Sequence, residues 1–162
     1  MSERLCRATM KRVPPSVRAP RYDFANTKTG IVHIGLGAFA RAHQAVFTED
    51  SIELSGGNWG IAGISLQRPD TVDAVRAQDG LYTVEFLGNP CSYRIISAVR
   101  EALFAPRDFA RVLALFGSRD ISVSTLTVTE KGYCLGPFGG LDFDHPDIRA
   151  DLKLPALPAS TS

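Results

Sequence analysis

The residues best suited to chemistry lie in one stretch, Gly30-Ile31-Val32-His33-Ile34-Gly35-Leu36-Gly37-Ala38-Phe39-Ala40. Apolar and β-branched residues lead into Gly35-x-Gly37-x-x-Ala40, and a helix-compatible run, Arg41 to Leu54, follows. Strand, glycine turn and helix in that order are the context that a dinucleotide-binding fingerprint requires. Gly35 permits the tight turn, Gly37 lets the backbone approach a pyrophosphate, and Ala40 at the third position allows close helix–strand packing. The helix start offers unpaired N–H groups and the positive end of its dipole to phosphates. Leu36, Ala38 and Phe39 complete the candidate turn. A bare G-x-G-x-x-A also suits a plain turn in any α/β protein; the flanking strand and helix favour the nucleotide.

Two further groups bear on such a ligand. The second candidate strand ends Ser65-Leu66-Gln67-Arg68-Pro69-Asp70, with no carboxylate at its tip where one commonly bonds the adenosine ribose. Arg68 stands there instead, able to stack on adenine or receive a 2′-phosphate, or to be an ordinary surface arginine. A later strand opens into Thr129-Glu130-Lys131. Lys131 and Glu130 invite a reading as base and orienting carboxylate, or as a solvated ion pair. Without a partner constellation, positioning of the cofactor loop is preferred over proton transfer. No catalytic residue and no metal ligand is assigned.

These groups need elements to hold them. The patterning predicts a strand over Gly30–Ile34, a helix over Arg41–Leu54 closed by Ser55-Gly56-Gly57-Asn58, and a buried strand over Trp59–Leu66. Pro69 to Gln78 reads as a short helix closed by Asp79-Gly80. Leu81–Leu87 and Tyr93–Val99 read as an antiparallel hairpin. A helix from Pro106 to Leu115, stopped by Gly117, precedes a strand over Ile121–Val128. Residues 1–29 read as a solvated basic arm with a short helix near Leu5–Arg12. From Leu135 on, Gly136-Pro137, Gly139-Gly140, Pro146, Pro155 and Pro158 read as loop-forming. Three strands, at about 31–34, 60–66 and 121–128, are left for a parallel sheet. The expected fold is therefore α/β: an incomplete Rossmann-like doubly wound sheet, mostly parallel, with an inserted β-hairpin. Residues 30–162 form its domain.

Composition narrows the class. The chain has 162 residues, 44% of them hydrophobic and 22% charged, with a net charge of +1. That is enough for one core and gives no reason to expect nucleic acid or a membrane as partner. Arg4, Arg7, Lys11, Arg12, Arg18 and Arg21 precede no long apolar run, which argues against a secretory signal. Cys6, Cys91 and Cys134 are odd in number, far apart and without a Cys-x-x-Cys pair, so neither a disulfide framework nor a zinc site is suggested. They suit a reducing compartment, the cytoplasm by default. His33, His43 and His145 are too scattered in sequence for a metal site, and His33 and His43 read as structural.

With these residues in hand, the chain resembles the N-terminal part of the mannitol dehydrogenase family of polyol-specific long-chain dehydrogenases. The resemblance rests on Gly30-Ile-Val-His-Ile-Gly-Leu-Gly-Ala-Phe39, Arg41-Ala-His-Gln44, Trp59-Gly-Ile61 with Ser65-Leu66, Gln78-Asp-Gly-Leu-Tyr82, Thr127-Val-Thr-Glu-Lys-Gly-Tyr-Cys134, and Leu141-Asp142 with His145-Pro-Asp-Ile148. It runs from about Arg7 to Ser160. Residues 7–9, Tyr22-Asp23 and Tyr133-Cys134 lean toward the fructuronate reductase branch. The resemblance implies a metal-independent oxidoreductase that moves hydride between a nicotinamide cofactor, NAD with NADP left open, and a ketose or keto-uronate. It puts Gly35, Gly37 and Phe39 in the nucleotide loop, Arg68 at the adenosine end, and Thr129-Glu130-Lys131 near the nicotinamide side. Two departures stand out. Ala40 replaces a histidine usual in the family. The family's catalytic Lys-x-x-x-x-Asn-x-x-His pattern, which belongs to a helical C-terminal domain, is absent from these residues. A sugar or uronate is thus a partner only with that domain supplied, and this chain alone is expected to be inactive. A free-standing nucleotide-binding module and an inactive fragment remain as alternatives.

Overall fold

The computed structural model describes residues 4–153, except for the side chains of Glu130 and Lys131. The chain divides into two compact units, residues 1–127 and 128–162.

The first unit is built on β2 (Thr29–Ile34), whose residues Gly30 to His33 are buried. Burial on both faces is the mark of a central parallel strand, and its apolar run has that character. β3 (Gly60–Ser65) pairs parallel with β2, and β6 (Val99–Phe104) pairs parallel with β3. β7 (Val123–Leu126) lies parallel on the other side of β2, giving the order β6-β3-β2-β7. The sequence had suggested three parallel strands, and the sheet has four. β6 escaped because Ser97-Ala98, between it and the hairpin, contains neither Gly nor Pro, and Val-Arg-Glu-Ala-Leu-Phe has no strand alternation.

Alternate residues of the strands feed two apolar clusters, as the two-residue period requires. Ile31 and Ile61 join Ala45 and Val46 of α1 (Ala45–Ser55) and Val72 and Val75 of α2 (Asp70–Arg76). Val32, Ala62 and Ile64 join Val112 and Leu115 of α3 (Ala105–Phe116). Helices therefore cover both faces of the sheet. Gly56 closes α1 at φ +67°, a conformation that a side chain disfavours. Pro106 lies in the first turn of α3, where its missing N–H costs nothing.

A small second sheet holds β1 (Val17–Arg18), β5 (Ser92–Ile96) and β4 (Tyr82–Phe86), in that order. β4 and β5 form the expected antiparallel hairpin, with Tyr82 opposite Ile96 and Phe86 opposite Ser92. β1 adds to it in parallel. The segment read as a solvated arm is thus stitched to the body. The Tyr22 hydroxyl lies 3.2 Å from Glu49 Oε2 and 3.0 Å from Ser97 Oγ, and the Arg7 backbone N–H donates to Asp79 at 3.0 Å. Its short helix is a 3-10 turn, Arg7–Arg12.

In the second unit, a 3-10 turn (Glu130–Tyr133) leads into Cys134, and a bridge joins Leu135 to Leu141. The short helix α4 (Pro146–Asp151) follows. Pro146, read as a breaker, instead begins this helix, the one helical position that proline suits.

Candidate functional site

The strand order fixes where a ligand can lie. The chain winds from β2 to β3 to β6 on one side, then returns to β7 on the other side of β2. The carboxyl ends of β2 and β7 therefore flank the topological switch point, the crevice where open α/β sheets take ligands. Gly35 begins the turn at that point. Its N–H and that of Leu36 both donate to the Ile64 carbonyl, at 2.8 and 3.1 Å. Gly35 has φ +102°, and a Cβ there would sit 3.0 Å from the Thr127 carbonyl oxygen. The positive φ calls for glycine, and the Thr127 carbonyl leaves a side chain little room.

Leu36 is buried and rests on Gly63 of β3, where an added Cβ would lie 2.5 Å from Leu36 Cδ1. Gly37 is different. Its N–H donates to the Gly35 carbonyl at 2.6 Å, and a Cβ would meet only Gly35 O, at 3.7 Å. The fold itself leaves room for a side chain at 37, so a glycine there suits something that must approach from outside. Helical backbone begins at Ala38, whose first-turn N–H groups have no intrahelical acceptor. Ala40 is buried, as close helix–strand packing demands, whereas Phe39 is exposed and its ring lies tilted against His43 with centroids 4.7 Å apart.

The helix does not run straight from this turn into α1. Residues Ala40–Gln44 form a π-turn, a feature common at functional sites. The Arg41 guanidinium donates to the Leu36 carbonyl at 2.9 Å, and the Tyr82 hydroxyl donates to the Arg41 carbonyl at 2.8 Å. The hairpin thereby holds the helix start from outside. Burial pushes the Tyr82 phenol far above its ordinary range, so it stays a donor.

Sequence reasoning gave His33 no role beyond structure, yet it lies directly beneath the turn. It is buried, with Nδ1 2.9 Å from Thr125 Oγ1 and Nε2 3.1 Å from the Gly35 carbonyl and 3.2 Å from Thr127 Oγ1. Gln44 Nε2 donates to Thr125 Oγ1 at 2.9 Å. Burial lowers the imidazole pKa, which favours the neutral ring. The signal in the sequence was a lone polar residue inside an apolar strand, two positions before the first glycine.

Of the expected site residues, Gly35, Leu36, Gly37, Ala38, Phe39 and Ala40 form one continuous turn. Arg68 is exposed beyond the carboxyl end of β3, its carbonyl accepting from Ser65 Oγ at 2.6 Å. Thr129, Glu130 and Lys131 belong to the second unit, where Thr129 precedes the 3-10 turn and its carbonyl accepts from Gly132 N–H. That unit also gathers Cys134, His145 and Asp147, whose ligand atoms lie within 4.8 Å of one another, a grouping that their sequence spacing hid. His145 Nδ1, however, already accepts the Asp147 N–H at 3.3 Å to cap α4. Among the described residues, no helix is long and apolar enough to cross a membrane.

Residues 29–161 match the family model of the mannitol dehydrogenase Rossmann domain. The chain is 43% identical over 152 residues to an uncharacterized oxidoreductase of Escherichia coli (strain K12), covering 91% of this chain and 31% of that protein. It is 34% identical over 163 residues to a polyol:NADP oxidoreductase of Gluconobacter oxydans (strain 621H), covering 96% of this chain and 33% of that one. It superposes with a TM-score of 0.81 and 33% identity on Pseudomonas fluorescens mannitol 2-dehydrogenase in ternary complex with NAD and D-mannitol, over 91% of this chain and 31% of that one. The chain thus spans about a third of the length of these relatives. By its sequence, its parallel sheet and its glycine turn, the protein belongs to the mannitol dehydrogenase family and carries that family's Rossmann domain.

Proposed function

We propose that the chain is the cofactor-binding part of an NAD(P)-dependent oxidoreductase that interconverts a sugar alcohol or aldonate with its ketose or keto-uronate. The observation that carries this reading is the turn at the switch point. Gly35 is forced by its backbone, while Gly37 is open and faces no neighbour that would require glycine. The first-turn N–H groups after it suit a pyrophosphate, and the buried Ala40 brings the helix close to β2. When bound, the nicotinamide would give or accept hydride. The residues of this chain bind and orient the dinucleotide. From the family resemblance we infer that a general acid/base and a group polarising the sugar carbonyl are supplied outside these residues, so that turnover uses the remainder of a family-length protein. Thr129, Glu130 and Lys131 are proposed for the nicotinamide side.

One relative is named for NADP and one is complexed with NAD, which makes Arg68 the residue to test at the adenosine end. The cytoplasm is the proposed compartment, in keeping with Cys6, Cys91 and Cys134 being free thiols. Fluorescence titration of the chain with NADH and NADPH tests the reading. Saturable binding of either is expected, and Arg68→Asp is expected to lower affinity for NADPH relative to NADH. Binding of neither would refute the nucleotide site. Unchanged affinities in Arg68→Asp would remove Arg68 from it.

A further inference from the structure

We propose that His33 is a positioning residue for the dinucleotide turn, fixing the Gly35–Leu36 peptide by donating Nε2–H to the Gly35 carbonyl from beneath. The inference rests on the reading of the turn as a nucleotide site and adds to it a residue outside the glycine fingerprint.

The Nε2–H tautomer gives the hydrogen bonds of the group one consistent set of directions. The Gln44 side-chain amide donates to Thr125 Oγ1 at 2.9 Å. The Gly35 carbonyl only accepts, so the ring nitrogen 3.1 Å from it must carry a proton. In the neutral ring Nδ1 is then the acceptor, and the Thr125 hydroxyl donates to it at 2.9 Å. The chain of donors therefore runs from Gln44 through Thr125 and His33 to Gly35. Thr127 Oγ1, 3.2 Å from Nε2, shares that end. The partners come from three elements: the strand that starts the turn, the neighbouring strand across the switch point, and the π-turn beyond the glycines. One small network thus ties both sides of the crevice to the peptide that leads into Gly37 and the helix start. A second brace acts on the same loop from above, the Arg41 guanidinium on the Leu36 carbonyl. Two consecutive carbonyls of the turn are fixed by side chains, and the peptide planes between them have little freedom to rotate.

The side-chain geometry supplies a rescue test. Glutamine can extend an amide N–H to about where Nε2 stands, asparagine reaches only the Nδ1 position, and phenylalanine keeps only the ring shape. NADH binding to the chain is measured by fluorescence and folding by thermal melts, for wild type, His33→Gln, His33→Asn, His33→Phe and Thr125→Val. His33→Phe and His33→Asn are expected to weaken NADH binding roughly tenfold, the worth of one buried hydrogen bond. His33→Gln is expected to restore most of it. Long-range nitrogen–proton NMR of the wild-type imidazole is expected to show the Nε2–H form, a readout that stands even if a variant fails to fold. An Nδ1–H ring would overturn the proposal. So would variants that melt lower yet bind NADH like wild type, which would make His33 structural and leave the nucleotide site standing. Wild type that binds no NADH would overturn the nucleotide reading and this inference with it.

Discussion

Gly63 lies in the middle of β3, outside the glycine fingerprint, yet the position of Leu36 makes it part of the same machinery. A methyl group there would sit 2.5 Å from Leu36 Cδ1 and 3.0 Å from both Cδ2 and Cγ. Carbon atoms rest at about 3.5–4.0 Å, so Leu36 must move by roughly 1 Å. Leu36 is buried and its backbone is the turn, so the movement is passed to the loop. Overpacking of this kind costs about 1–3 kcal/mol. Without the clash, Gly→Ala in a strand would stabilise by about 0.5–1 kcal/mol, so even the sign is diagnostic. For a chain of this size, the expected loss corresponds to a melting temperature lower by about 2–4 °C per kcal/mol. The cause is isolated by a double-mutant cycle. Leu36→Ala alone should cost about 2–5 kcal/mol. In that background Gly63→Ala should stabilise by about 0.5–1 kcal/mol, giving a coupling of about 1.5–4 kcal/mol by urea or thermal unfolding. NADH affinity should fall in Gly63→Ala alongside stability. Additive effects, or a Gly63→Ala chain more stable than wild type, would refute the reasoning.

Two further perturbations probe the scaffold behind the turn. Tyr82→Phe removes the donor to the Arg41 carbonyl in the π-turn and should cost about 1–3 kcal/mol, with weakened NADH binding. Loss of stability without loss of binding would show that the hairpin does not support the helix start. Glu49 is fully buried and accepts from Ser97 N–H at 2.9 Å and Ser97 Oγ at 3.0 Å. Glu49→Ala should cost about 3 kcal/mol or more, whereas Glu49→Gln keeps most of the partners. Burial raises the Glu49 pKa above its unfolded value, so its contribution is complete below the unfolded pKa and is lost as pH rises through the folded one. Glu49→Gln should therefore gain on wild type as pH rises through that range in unfolding titrations. A pH-independent difference would contradict it. Burial shifts His33 downward, so its contribution is complete above its unfolded pKa and is lost as pH falls through the folded value.

The turn was legible because its requirements are local. The positive φ of Gly35, the small Ala40 and the helix start all follow from neighbours in sequence. The expected hairpin was local in the same sense. What the sequence concealed depended on distant partners. His33 meets Thr125 and Thr127 from across the switch point, and its polarity within an apolar strand does not by itself identify those distant partners. The N-terminal segment looks solvated by composition, until Tyr22 is seen bonded to Ser97 and Glu49. β6 was hidden because no turn residue separates it from the hairpin. Gly63 carried no signal as a site residue, since its demand for a missing side chain comes from Leu36 in another element.

That Gly35–Ala40 cradles a dinucleotide is tested most directly by Gly37→Ala, measured for both NADH affinity and melting temperature. A Cβ at 37 meets only Gly35 O at 3.7 Å, so the melting temperature should be unchanged or slightly raised. NADH binding should fall roughly tenfold or more, because the methyl group stands where the pyrophosphate must approach. Binding equal to wild type in a chain that melts normally would contradict a nucleotide at this turn.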